Sequence, residues 1–181
     1  MLVVDDEREV ADVYAMRLSD RYETIAAYGG EEALEAVDAV DIVLLDRRMP
    51  DLSGDEILET LRERNLDCRV IMLTAVDPDF DIIDMPFDDY LCKPVQKKDL
   101  VAAIEQQLAA RRYDDRLSEF LEVTSKLALL EAEKAPRDLR GNEEVTELRE
   151  REEQLREEMG EALATFDDID TAFQDIQRHP L

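Results

Sequence analysis

Over the first 112 residues, short apolar runs alternate with longer stretches in which apolar residues recur every three or four positions. The runs at 2–4, 22–26, 42–45, 70–73 and 88–91 are bounded by acids, Gly or Pro, as strands buried on both faces are. Ile42-Val43-Leu44-Leu45 is the clearest of them. The stretches between predict helices. Residues 7–20 place Val10, Val13, Tyr14 and Leu18 on one face, and residues 31–39 place Ala33, Leu34 and Val37 together. Residues 54–64 align Ile57, Leu58 and Leu61, and residues 98–113 align Leu100, Ile104 and Leu108. Residues 76–87 break the rhythm. Pro78 and Pro86 bracket Asp77, Asp79, Asp81 and Asp84, which leaves room for a short, irregular helix.

Strand and helix in alternation define an α/β fold with a doubly wound parallel sheet. Right-handed crossovers bring every strand C-terminus to one edge, where such sheets place their chemistry. The residues at those ends are Asp5, Asp6, Asp46, Thr74 and Lys93. Asp46 closes the most apolar strand and precedes a loop punctuated by Pro50 and Gly54. A turn-capping role is the plain alternative for one such Asp. Convergence with two further acids, a hydroxyl and a cation argues for chemistry.

After Arg111-Arg112 the strands stop. Tyr113, Leu117, Phe120, Leu121, Leu127 and Leu130 recur at helical spacing, Pro136 and Gly141-Asn142 interrupt, and Val145, Leu148, Leu155, Met159, Ala162 and Phe166 resume. The expected architecture for residues 113–181 is therefore an all-α helical hairpin or coiled coil, following an α/β domain at 1–112. Ile169, Phe173 and Ile176 suggest a last short helix. Glu152 falls inside the apolar seam, where an unpartnered carboxylate is costly, so pairing should be weak or confined to the hairpin. No Gly or Pro separates Val95 from Ala135, so the helix begun near Lys98 should run on into the second part.

Charge changes the picture in one respect. The formal net charge is −25, with 13 basic and 27 acidic side chains in residues 1–112 and 9 and 20 in residues 113–181. Acid spread over periodic segments implies a solvated shell on a folded protein, of the kind suited to high salt, where self-repulsion is screened. The same field opposes casual binding to nucleic acid, and no basic stripe or recognition helix rich in Arg, Lys, Asn or Gln is visible. Cys68 and Cys92 fall at opposite ends of neighbouring strands and should stay reduced thiols. His179 stands alone, without the company a metal ligand needs. No stretch is apolar enough to span a membrane and no secretory leader is evident, so a cytoplasmic protein is expected.

The acidic pair Asp5-Asp6, Asp46 within D-x-x-M-P-x-x-S-G, Thr74-Ala75 and Lys93-Pro94 together resemble the receiver domain of two-component response regulators. The resemblance covers residues 1–112. It implies a five-stranded, flavodoxin-like sheet of order 2-1-3-4-5 and a phosphoacceptor at Asp46, charged by a sensor histidine kinase. It implies Mg²⁺ held by Asp6 directly, by Asp5 through water, by Asp46 and by the backbone carbonyl of Arg48. Hard carboxylate oxygens suit such an ion, which lets a carboxylate nucleophile meet an anionic phosphoryl group. Lys93 would pair with one phosphoryl oxygen and Thr74 would hydrogen-bond another, while small Ala75 leaves the group room to enter. Tyr90 would turn inward with Thr74 as the switch; plain packing on the edge strand is its alternative. Such a protein is a phosphoacceptor switch rather than an enzyme. Phosphatases with an aspartyl nucleophile usually carry a second acid where this chain has Arg48. In the second part, Y-D-D-R-L-S-E-F-L and S-K-L-A-L-L-E-A-E-K are similar to the HalX domain attached to receivers in halophilic archaea, over roughly residues 112–178. The output stays open between regulation of transcription and a protein-interaction adaptor without DNA, with a homodimer among the pairings open to it.

Overall fold

The structure is a computed structural model that describes residues 1–76 and 78–166. Five strands, β1 (Leu2–Val4), β2 (Ile25–Ala27), β3 (Ile42–Leu45), β4 (Arg69–Thr74) and β5 (Asp89–Cys92), form one parallel sheet of order β2-β1-β3-β4-β5. Helices α1 (Arg8–Leu18), α2 (Gly30–Ala36), α3 (Gly54–Glu63) and α4 (Lys97–Glu133) alternate with them, and a 3₁₀ turn, Val37–Ala39, follows α2. The expected order and alternation are therefore present.

The apolar runs form strands because both sheet faces are covered. Successive side chains of β1, β3 and β4 point to opposite faces. Leu2, Val4, Val43, Leu45, Val70 and Met72 pack with Ala33 and Val37 and with Ile57, Leu58 and Leu61 of α3. Val3, Ile42, Leu44, Ile71 and Leu73 pack on the other face with Tyr14 and Leu18 of α1 and Leu100 and Ile104 of α4. One expectation fails at α1: Val13 is exposed and Ala11 is buried instead. Positions 11, 14 and 18 keep the 3.6-residue stripe that Val13 leaves. β2 is an edge strand with Ile25 exposed, so its apolar run is weak.

The opposite rim of the sheet is tied by Asp88. Its carboxylate accepts from Arg62 Nη2 at 2.7 Å, Arg69 Nη1 at 2.8 Å and Val70 N at 2.7 Å. Cys68, just before β4, and Cys92, at the end of β5, are both buried. Between β4 and β5 the expected irregular segment contains one 3₁₀ turn, Phe80–Ile82; Asp77 lies outside the described residues.

α3 starts on a capping box. Ser53 Oγ accepts from Glu56 N at 3.3 Å, and Glu56 Oε2 accepts from Ser53 N at 2.9 Å. Ser53→Ala removes one partner of that pair. It should lower stability by about 1 kcal/mol, read as a shift of the urea midpoint with an unchanged slope.

One compact unit spans Met1–Leu108 and a second begins at Ala109. The second contains the rest of α4, the short α5 (Pro136–Leu139) and α6 (Glu143–Phe166). Asn142 caps α6, its Oδ1 accepting from Val145 N at 3.1 Å. The core here is Val123, Leu127, Leu139, Val145 and Leu155, with Phe120, Leu130 and Leu148 against it. Val123 replaces Leu121, which is exposed. Positions 120, 123, 127 and 130 keep the 3-4-3 spacing of a helix seam, and 121 lies off it. Glu152 is satisfied within the hairpin: its Oε1 accepts from Thr124 Oγ1 and Arg156 Nη2, each at 3.2 Å. Arg151 forms a two-pronged pair with Glu119 at 2.7 Å, and Arg116 Nε lies 2.6 Å from Glu158 Oε2. Such exposed pairs add little stability each but set which residues face one another. Ile169, Phe173, Ile176 and His179 lie outside the described residues. Among the described residues no helix is long and apolar enough to cross a membrane.

Candidate functional site

The β1–β3 register pairs Val4 with Leu45, so Asp5 and Asp46 emerge side by side one step beyond the paired residues. Ladder bonds carry on past the strands to hold them: Asp46 N donates to Val4 O at 2.9 Å and Asp5 N to Ala27 O at 3.2 Å. Across the sheet, Thr74 pairs with Cys92, and Lys93 N donates to Thr74 O at 2.7 Å. Lys93 is thereby aimed back over the strand ends. Its Nζ lies 2.5 Å from Asp5 Oδ2 and 2.7 Å from Asp46 Oδ1. The three side chains are only 16%, 5% and 9% exposed, so the ammonium holds two like charges together in a poorly solvated place.

The remaining oxygens are also used. Arg48 N donates to Asp46 Oδ2 at 2.8 Å and Glu7 N to Asp5 Oδ1 at 3.0 Å. Burial pushes the Asp46 carboxyl up from its ordinary value; Lys93 pulls it down, Asp5 pushes it up again, and the net direction is upward. Burial pushes Lys93 down, but hydrogen bonds to Asp46 and Asp5 outweigh it and the ammonium ends above its ordinary value. Gly54 completes the loop. It donates to Arg47 O at 2.9 Å, and a Cβ there would sit 2.2 Å from the Asp46 carbonyl oxygen.

Thr74 and Tyr90 form a second group beside the first. Thr74 is buried, and its Oγ1 accepts from Val76 N at 3.3 Å. Tyr90 is buried too; its hydroxyl donates to Val76 O at 2.8 Å, and its ring tilts against Phe87. Asp6 lies at the exposed rim, outside both groups.

The donor set suits a hard divalent cation, since Asp5 and Asp46 aim carboxylate oxygens at one point that already attracts a cation. Among the described residues no three acid, thiol or imidazole groups are gathered closely enough to hold a metal by themselves.

Arg47 is a participant that sequence reasoning did not single out. It donates through Nε to Asp55 Oδ1 at 3.0 Å and through Nη2 to Asp55 Oδ2 at 3.2 Å, and it pairs with Asp81. Nothing but the presence of acids at 55 and 81 hinted at it.

These features meet in one family. The chain belongs to the response regulator receiver domain family, which matches residues 1–105. A second family, the HalX domain, matches residues 109–176. A Haloferax volcanii protein provisionally named a transcriptional regulator is 45% identical over 160 residues, covering 87% of this chain and 27% of that protein. This chain thus spans about a quarter of that relative's length. Among solved structures, the CheY-like receiver domain protein of Methanospirillum hungatei is 26% identical, with a TM-score of 0.58 over 62% of this chain and 95% of that one. The receiver domain protein of Clostridium thermocellum is 30% identical, with a TM-score of 0.55 over 61% and 94%. The DrrB receiver domain, solved in a BeF3-activated form, is 29% identical, with a TM-score of 0.55 over 59% and 94%.

Proposed function

We propose that this protein is a two-component response regulator: a sensor histidine kinase phosphorylates Asp46, and the change passes to a helical output domain. The observation that carries the reading is the buried contact of Lys93 with both Asp5 and Asp46 at adjoining strand ends. In the reaction an Asp46 carboxylate oxygen attacks phosphorus, the bond from phosphorus to the donor's imidazole nitrogen breaks, and the imidazole leaves with a proton. Asp46 becomes an acyl phosphate. Lys93 then pairs with a phosphoryl oxygen, Thr74 turns its hydroxyl to another, and Tyr90 follows into the space Thr74 vacates. Asp6, Asp46, the Arg48 carbonyl and, through water, Asp5 would hold Mg²⁺. Bound there, the ion neutralises charge on the phosphoryl oxygens during transfer.

Residues 1–112 are the receiver and 113–181 the output in this reading, with a cytoplasmic location. The name of the Haloferax volcanii relative favours regulation of transcription. The acid excess of residues 113–181 favours the second reading, an adaptor that pairs with protein, including a second copy, without DNA. Retention on DNA that falls steeply with salt would select the former.

Incubation with acetyl phosphate and Mg²⁺ should add one phosphoryl group per chain, seen by intact mass. Asp46→Asn should abolish it, and chelation of Mg²⁺ should suppress it. Undiminished labelling of the Asn variant would remove Asp46 from its role.

A further inference from the structure

The segment between β4 and β5 packs Ile82, Met85 and Phe87 against the core and is also fastened to the residue next to the phosphoacceptor. Arg47 is only 11% exposed and its guanidinium serves two elements. It grips Asp55 on α3 with two nitrogens and pairs with Asp81 in the 3₁₀ turn. At the start of the same segment, the Tyr90 hydroxyl donates to the carbonyl of Val76, whose amide donates to Thr74. A planar fork with five donors can hold Asp55 with two nitrogens and still reach Asp81 in a fixed geometry; an ammonium is a point charge without that fork.

We infer that Arg47 is a positioning residue that makes the turn at 79–85 respond to the charge on Asp46, an inference that rests on the phosphoacceptor reading above. Phosphorylation replaces the single charge of the Asp46 carboxylate with the roughly double charge of an acyl phosphate, so about one negative charge is added one residue from Arg47. The guanidinium is drawn toward that charge, and its hold on Asp81 weakens. Asp81 is the arm that gives, because it is 54% exposed and can take water in exchange, whereas Asp55 is held by two nitrogens. The consequence is local: Ile82, Ile83 and Met85, whose amides bond within the turn to Asp79, Phe80 and Ile82, become less protected.

The test uses the full chain and hydrogen exchange at residues 79–87, with and without acetyl phosphate and Mg²⁺. Wild type should exchange about tenfold faster at Ile82, Ile83 and Met85 once phosphorylated, the size expected for losing one charge-assisted hydrogen bond. Asp81→Asn leaves the apolar anchors Ile82, Met85 and Phe87 against the core, so the segment stays docked. That variant should show the faster exchange before phosphorylation, gain nothing further from it, and take up phosphoryl at the wild-type rate. A merely structural Asp81 would raise exchange in both states and leave the phosphorylation-dependent difference in place. That outcome, or a phosphorylated wild type with an unchanged turn, overturns the inference while leaving the phosphoacceptor reading intact. Failure of wild type to take up phosphoryl at all overturns both.

Discussion

Lys93→Met should lower the stability of the α/β unit by about 3–5 kcal/mol and all but end phosphoryl uptake by Asp46. The stability loss follows from what the substitution leaves behind. Asp5 and Asp46 would remain side by side, nearly buried, with no cation between them. Breaking one partner of a buried pair costs more than the pair itself contributes, because the surviving charge has lost water and gained nothing. Here two charges survive, and they repel. Asp46→Asn makes the comparison: it leaves Lys93 with Asp5 and removes the repulsion, so it should destabilise far less, although it too cannot be phosphorylated. Urea denaturation of the two variants measures the difference. Equal stability for both would show that the ammonium is not the counter-ion of the pair. Mg²⁺ should restore part of the Lys93→Met loss by taking the vacated place between the carboxylates.

Gly54→Ala should be nearly as damaging, from the opposite cause. A methyl group there would meet the Asp46 carbonyl oxygen at 2.2 Å, the Arg47 Cα at 2.9 Å and the Asp46 carbonyl carbon at 3.0 Å. All three are backbone atoms, so no side-chain rotation relieves the clash. Overpacking of this kind costs about 1–3 kcal/mol. Relief comes only by pushing the loop after β3 away from α3, which moves the Asp46 carboxylate relative to Lys93. A displacement of about 1 Å at a reacting group can cost about a hundredfold in rate. Phosphoryl uptake of the alanine variant, measured where it is still folded by circular dichroism, should therefore fall by about that factor. An alanine variant with wild-type uptake would mean that the loop tolerates the shift.

What the sequence disclosed and what it hid divide along a physical line. Ile42–Leu45 was readable because a strand covered on both faces must be apolar at every position, and little else satisfies that. Asp5, Asp46, Thr74 and Lys93 were readable because parallel topology brings strand ends together wherever the residues lie in the chain. The α1 face was misjudged at Val13, since an apolar side chain on the margin of a stripe carries no sign of which side of the margin it occupies. Leu121 misled for the same reason, with Val123 two residues away holding the seam. Arg47 was out of reach altogether. Its partners lie 8 and 34 residues away, and in a chain so rich in acid nearly any Asp would have been an equally good candidate. Long-range ion pairs are specified by the fold, and the sequence alone supplies only the inventory.

The lysine bridging Asp5 and Asp46 has a consequence for how this site meets its surroundings. A counter-ion attached to the chain does not dilute: its effective concentration is set by a tether, not by the medium. Exposed pairs such as Arg21 with Glu105 weaken as salt rises, because dissolved ions compete for each partner. The buried triad is largely spared that competition. A protein with this much acid on its surface will feel every change in the ionic strength around it, yet the carboxylate of Asp46 carries its own cation. If Asp46 is the phosphoacceptor as proposed, its readiness is thereby uncoupled from the salt that governs the rest of the surface.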